Sequence, residues 1–218
     1  YDVRIKLINN FIYEDVFFFS HSILTMNELT TVIIVIVIVL SFFLHYESKY
    51  SELTYVKSGI DNRQYLVRNV DDKQEAADIL ATIRKNLDSI VSYLKDNNSH
   101  DERVERLISN YRPEKLSESI PNTNYTSYSV NKGEKIVFCI RSKDERQKLV
   151  DINTIMFVAI HELAHVMTKS IGHTEEFWNN MKYLLKKAID IGVYKNHDYR
   201  SKPVPYCGTE ITDSPLQL

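Results

Sequence analysis

His161-Glu162-Leu163-Ala164-His165 holds two imidazoles four residues apart, with a carboxylate beside the first. On a helix, residues four apart stand on one face, one turn above the other. Two neutral imidazoles so placed can share one divalent zinc ion. Zinc takes nitrogen ligands at about 2.0–2.1 Å and, in catalytic sites, has three protein ligands and leaves the fourth position to water. Glu162 sits one residue around the helix, where its carboxylate can take a proton from that water. The chemistry expected is metal-assisted hydrolysis, with His161 and His165 as ligands and Glu162 as general base. An amphipathic helix with surface histidines would carry the same letters, so a third ligand is what the pattern still requires.

A helix running on from His165 to His173 would carry that residue roughly 12 Å along its axis, too far to share the metal. The chain must turn back, and Gly172 suits the left-handed conformation that ends helices. His173 follows it and is expected as the third ligand, delivered from a turn, with ligand nitrogens roughly 3.3 Å apart. A capping or solvated histidine is the plain alternative. Glu175 and Glu176 compete for the position, although acidic residues in a first helical turn are common for dipole reasons alone.

The elements around these residues follow from their periods. Asp151 or Asn153 caps the motif helix, and Met156, Ala159, Ile160, Leu163 and Met167 form its buried stripe. Thr174 caps a following helix that packs Phe177, Trp178, Met181, Leu184, Leu185 and Ala188 inward and ends at Gly192. Trp178 is read as core rather than as a substrate contact, and Lys182, Lys186 and Lys187 as a solvated face. Upstream, Asp71 or Asp72 offers an N-cap to an amphipathic helix with Ala76, Leu80, Ile83, Leu87, Ile90 and Leu94 on one face, ending near residues 96–98. A second, short helix carries Val104, Leu107, Ile108 and Tyr111 and stops before Pro113. Tyr125 to Val130 and Lys135 to Arg141 read as strands around an Asn131-Lys132-Gly133 hairpin turn. The run Ile136 to Ile140 is β-prone enough to lie along a cleft and pair with an extended peptide, or to be a plain core strand. The tail, with Pro203, Pro205 and Pro215, is expected to be irregular; Tyr206 within it could reach the site as a transition-state donor.

Leu29 to Tyr46 contains no charged residue apart from a possible charge on His45. As a helix this stretch covers roughly 27 Å, close to the hydrocarbon thickness of a bilayer, and it holds no turn signal. Residues 29–46 are therefore expected to be a transmembrane helix rather than a cleaved signal, since no basic region precedes it and no small-residue cleavage site follows. Lys49 and Lys57 lie after the span, with no basic residue close before it, which places the C-terminal domain on the cytoplasmic side. Asn97-Asn98-Ser99 and Asn124-Tyr125-Thr126 match the glycosylation pattern but do not decide the side. Residues 1–25 have no clear period. Met26 reads as a natural start, which would make 1–25 a non-native upstream extension; a genuine N-terminal segment is the alternative. Residues 47–70 read as a polar connector with a short strand at residues 65–67, and 71–218 as the catalytic domain. The net charge of −2 implies no bulk affinity for nucleic acid, and five glycines and five prolines favour a helix-rich fold. Cys139 and Cys207 are expected as a core thiol and a loop thiol rather than a disulfide.

HELAH followed by GHTEEFW resembles the WLM and SprT-like zinc metallopeptidases, over about residues 120–190. The resemblance implies a small zincin fold of α+β class with one zinc ion, with His161, His165 and His173 as ligands and Glu162 as base. It also implies a protein or peptide substrate. The chain looks like membrane-anchored members of the group encoded by large DNA viruses. Its apolar span and lack of a strong basic patch separate it from the nuclear DNA–protein-crosslink role of soluble relatives. No H-E-x-x-H-x-x-G-x-x-H occurs, so metzincin membership is not indicated. The reading is a single-pass membrane zinc metalloprotease. Its rivals are a non-catalytic zinc-stabilised membrane protein interacting through the Ala76–Leu94 helix, and a soluble crosslink protease whose apolar run is buried in the core.

Overall fold

The computed structural model describes residues 27–47, 52–121 and 126–217. The expectations for residues 1–25, for Met26 and for most of Asn124-Tyr125-Thr126 fall outside them. The chain divides into two units, Tyr1–Ser51 and Glu52–Leu218.

In the first unit, Asn27–Glu47 is a single helix, α1, of 21 residues with a mean hydropathy of 2.5, long and apolar enough to cross a membrane. The expected span of residues 29–46 lies inside it. Its large apolar side chains from Leu29 to Leu44 are exposed, not packed into a core.

The second unit is α+β. Two strands, β1 (Leu53–Lys57) and β2 (Gln64–Arg68), pair antiparallel. β2 contains the short strand expected at residues 65–67, whereas β1 lies in the segment expected to be a polar connector. Its polar side chains hid β1 because a half-exposed hairpin alternates weakly. Helix α2 (Lys73–Asn98) then carries Ala76, Leu80, Ile83, Leu87, Ile90 and Leu94 on its buried face, as its period requires. Burying each of the larger aliphatic side chains is worth about 1.5–3 kcal/mol relative to exposure. That face lies in the core of its own domain.

Asp101 caps α3 (Glu102–Asn110) by accepting from the Arg103 N–H. Strand β3 (Leu116–Glu118) is followed by β4 (Tyr128–Val130) and β5 (Lys135–Phe138). The sheet order is β1-β2-β3-β5-β4, with β3 parallel to both neighbours and β4 antiparallel to β5. β5 is thus an interior strand, and β4 and β1 are the two edge strands. The expected hairpin turn lies between β4 and β5, with positive φ at Asn131, Lys132 and Gly133. Glycine is required at 133: a Cβ there would stand 2.8 Å from the Asn110 carbonyl oxygen and 3.0 Å from Val166.

Asp151 caps α4 (Ile152–Met167) with bonds from the N–H groups of Asn153 and Thr154, and Thr174 caps α5 (Glu175–Asp190). The tail is not irregular. Val204–Tyr206 (β6) and Thr209–Ile211 (β7) form a hairpin whose two-residue loop, Cys207-Gly208, has both φ angles positive. Such a loop matches the twist of the flanking strands. Cys139 and Cys207 are joined in a disulfide, correcting the expectation of two free thiols. Their separation of 68 residues conceals a pairing that only the folded chain creates.

A buried ion network ties the sheet to α2. Arg141 Nε donates to Glu118 at 2.7 Å and its Nη1 to Asp72 at 2.6 Å, while Glu118 also accepts the Arg68 N–H at 2.7 Å. Asp72 therefore spends its carboxylate on Arg141 and makes no side-chain cap bond to α2.

Replacing both Cys139 and Cys207 by serine should lower stability by about 2–4 kcal/mol, since the bond closes a long loop in the unfolded chain. The shift of the urea midpoint measures it.

Candidate metal centre

α4 presents His161 and His165 one turn apart, with ring centroids 4.9 Å from each other. The helix ends at Met167, five residues before Gly172. Thr168 is already extended, and its N–H and hydroxyl both donate to the Ala164 carbonyl. Gly172, at φ 81°, therefore shapes the returning loop rather than the helix end. His173 comes back over His161, and their Nε2 atoms are 3.0 Å apart. One ligand nitrogen from each of His161, His165 and His173 lies within 4.8 Å of the others.

The return is held from three directions. Lys132, in the β4–β5 turn, donates from Nζ to the carbonyls of Thr168, Lys169 and Ser170. Arg106 of α3 donates to the Met167 carbonyl at 2.9 Å. Arg106 thus satisfies an acceptor that the helix end leaves without an intrahelical partner, and Lys132 those of the C-cap residue and the loop beyond it. Glu176 takes the donors: the N–H groups of Lys169 and Ser170, at 2.9 and 3.0 Å, and the Ser170 hydroxyl at 2.8 Å. Those bonds hold its carboxyl down to about 2. Glu176, a competing ligand by position, is thus occupied with backbone.

Aromatic rings fix the imidazoles. Phe177, fully buried, lies 4.8, 4.3 and 4.7 Å from the rings of His161, His165 and His173. Trp178 stacks on His173 at 5.5 Å with planes 29° apart. Expected in the core, Trp178 is instead 38% exposed and serves as a wall for the third imidazole. The helical period did not separate Trp178 from the inward Phe177 beside it, since adjacent positions of one helix can both face the core, as Leu184 and Leu185 do.

Burial is the main cause that lowers His161 to about 3 and His165 to about 4, with the neighbouring imidazoles adding to it. Both rings are neutral at ordinary pH, with lone pairs available. Glu162 is 4% exposed, and burial lifts its carboxyl to about 7 against the pull of the Ser129 N–H and hydroxyl. Its Oε2 is buried without a hydrogen-bond partner. Three nitrogen donors beside an unsatisfied buried carboxylate oxygen fit zinc with an attacking water.

These side chains line a cleft of about 720 Å³, bounded by Thr126 to Ser129 at the sheet edge, by Phe157 and Val158, and by Tyr206 and Ile211 of the C-terminal hairpin. Tyr206 is buried, and its hydroxyl lies 2.6 Å from Ser127 Oγ.

The WLM domain family profile matches residues 60–214. An uncharacterized protein of Acanthamoeba polyphaga mimivirus is 38% identical over 189 residues, covering 85% of this chain and 95% of that protein. One from Invertebrate iridescent virus 3 is 43% identical over 68 residues, 31% of this chain and 42% of that protein. The crystal structure of Wss1 from Saccharomyces cerevisiae aligns with a TM-score of 0.44 at 24% identity, over 58% of this chain and 88% of that one.

Glu176→Ala should free the return loop and weaken zinc binding by about 10–100-fold, the usual cost of losing a group that orients a ligand. Competition with a chromophoric chelator measures it. Because the Glu176 carboxyl is held below its ordinary value, its contribution to stability is present above pH about 4.5 and fades as pH falls toward about 2. The stability gap between wild type and the alanine variant should close over that range.

Proposed function

The chain belongs to the WLM domain family, a family of zinc metallopeptidases, and on that premise we propose that it is itself a zinc metalloprotease anchored in a membrane by α1. The observation that carries the reading is Glu162, a buried carboxylate with one unpartnered oxygen beside three converging imidazoles. A zinc site of structural purpose has no use for such a group, and burying it costs stability.

His161, His165 and His173 are assigned as ligands and Glu162 as general base. Zinc, when bound there, would polarise the scissile carbonyl and lower the pKa of a bound water toward about 7. Glu162 takes the proton of the attacking water and hands it to the amine that leaves. The Ser129 N–H and hydroxyl keep the carboxylate aimed while it does so. Water adds one oxygen to the carbonyl carbon, the C–N bond breaks, and the products are an acid and an amine.

A polypeptide substrate suits the cleft because β4 is an edge strand along it. An extended chain can lie along that edge, where the Ser129 N–H is already engaged by Glu162. The pairing surface is thus Tyr128–Val130, not the interior strand β5. The rival reading of a binding module working through α2 loses support, since that face is buried in its own domain.

A 21-residue helix spans roughly 30 Å, the thickness of a bilayer core. The side of the membrane is assigned to an oxidising compartment. A disulfide is chemistry that a reducing cytosol does not preserve, and it outweighs the bias of Lys49 and Lys57 toward the cytoplasmic face.

Two outcomes follow. Glu162→Gln should keep zinc content while peptide hydrolysis falls at least about a hundredfold; His161→Ala should lose zinc and activity together. A glutamine variant that cleaves at the wild-type rate removes the mechanism, and one that loses zinc as fully as His161→Ala gives Glu162 a structural role. The full chain should stay with membranes through high-salt and alkaline washes and leave only with detergent; recovery in the salt wash would refute the anchor.

A further inference from the structure

The wall of the cleft facing α4 includes a side chain that the mechanism above does not use. Tyr206 ends β6, is 3% exposed, and lines the same cleft as Glu162 and His161. It is fixed from two sides. Its neighbour Cys207 is bonded to Cys139 at the end of β5. Its hydroxyl lies 2.6 Å from Ser127 Oγ, which itself accepts the Cys139 N–H at 3.0 Å. Either hydroxyl can donate in the Ser127–Tyr206 pair; with Ser127 donating to Tyr206 Oη, the Tyr206 proton is left for the cleft.

We propose that Tyr206 is a catalytic residue, its phenolic O–H donating to the substrate carbonyl oxygen that turns negative as water adds. The proposal rests on the metalloprotease reading. In the addition step the new bond joins the water oxygen to the carbonyl carbon, the carbonyl π pair moves onto oxygen, and the water proton goes to Glu162. Tyr206 gives up no proton; it shortens its hydrogen bond to the oxygen as charge gathers there. A donor aimed at developing charge in a dry cleft favours the transition state over the bound substrate. Burial, with the nearby Glu162 adding to it, raises the Tyr206 phenol well above its ordinary range, so it remains a donor at every working pH. Ser127 and Ser129, two residues apart at the sheet edge, then serve as holders of the donor and the base respectively.

The test uses the full chain in detergent, first with wild type and Glu162→Gln on a peptide that wild type cleaves. Tyr206→Phe keeps the ring and removes the donor. Its kcat should fall about 100-fold or more, with KM within about twofold and zinc content unchanged. Calorimetry gives a readout apart from turnover. Affinity for a phosphinic peptide, which presents a tetrahedral anionic oxygen, should weaken by a similar factor, while the product peptide binds as to wild type. Unchanged kcat and unchanged phosphinic affinity would overturn the proposal. So would lower thermal stability with unchanged kcat per folded molecule, the signature of a purely structural hydroxyl. If Tyr206→Phe does not fold, Ser127→Ala decides: it keeps the phenol and removes its holder, and wild-type values of kcat and phosphinic affinity in it overturn the proposal. A wild type that cleaves nothing removes the protease reading and this proposal together, whereas an active wild type matched by Tyr206→Phe removes this proposal alone.

Discussion

The motif helix must stop almost at once after its second histidine. Helical continuation would carry His173 about 12 Å away along the axis, and the metal group of His161, His165 and His173 could not form. Stopping leaves carbonyls without partners inside a packed domain, which is costly unless other donors arrive. They arrive from separate elements: Lys132 from the β4–β5 turn and Arg106 from α3. Glu176 of α5 accepts from the N–H groups of the same loop. Gly133 permits the first of these contacts, because the turn passes against Asn110 and Val166 with no room for a Cβ. Sheet, α3 and α5 are thus arranged around one helix end.

A second constraint is the charge placed under cover beside that end. Neutral imidazoles tolerate burial, and at His161 and His165 burial keeps them neutral. A carboxylate does not, and Glu162 sits at the end of its tolerance with only the Ser129 donors to hold it. A cation at the imidazoles would draw that carboxyl back toward the ionised form. Metal binding and the base function proposed for Glu162 would therefore be coupled through one electrostatic field. Elsewhere the chain handles a buried carboxylate differently: Glu118 is matched by Arg141 and the Arg68 N–H, although burial still raises its carboxyl.

What could be read from the sequence was local. The α2 stripe, the caps at Asp151 and Thr174 and the β4–β5 turn follow from spacing within a few residues, because 3.6-residue and two-residue periods are written along the chain. What could not be read joins distant positions. Glu118 meets Arg141 across the parallel pairing of β3 with β5, and Cys139 meets Cys207 only after the tail folds over the cleft. Lys132 is the turn residue its position promised, but its bonds to the loop that delivers His173 were not legible, and Trp178, which looked like core, stacks on His173 instead. The C-terminal hairpin was nearer to legible. Val204-Pro205-Tyr206 and Thr209-Glu210-Ile211 flank a two-residue loop ending in Gly208, a hairpin pattern, with the prolines masking it.

The central claim is that three imidazoles on one helix and one return loop make this chain a metal-dependent peptide hydrolase. Its most direct measurement is peptide hydrolysis by the full chain in detergent, before and after metal removal by a chelator and again after one equivalent of zinc. Cleavage by the untreated protein, none after chelation, and recovery on adding zinc are expected. Cleavage that persists in the metal-free protein, or a protein that binds one zinc ion and cleaves no peptide in a broad library, would contradict it.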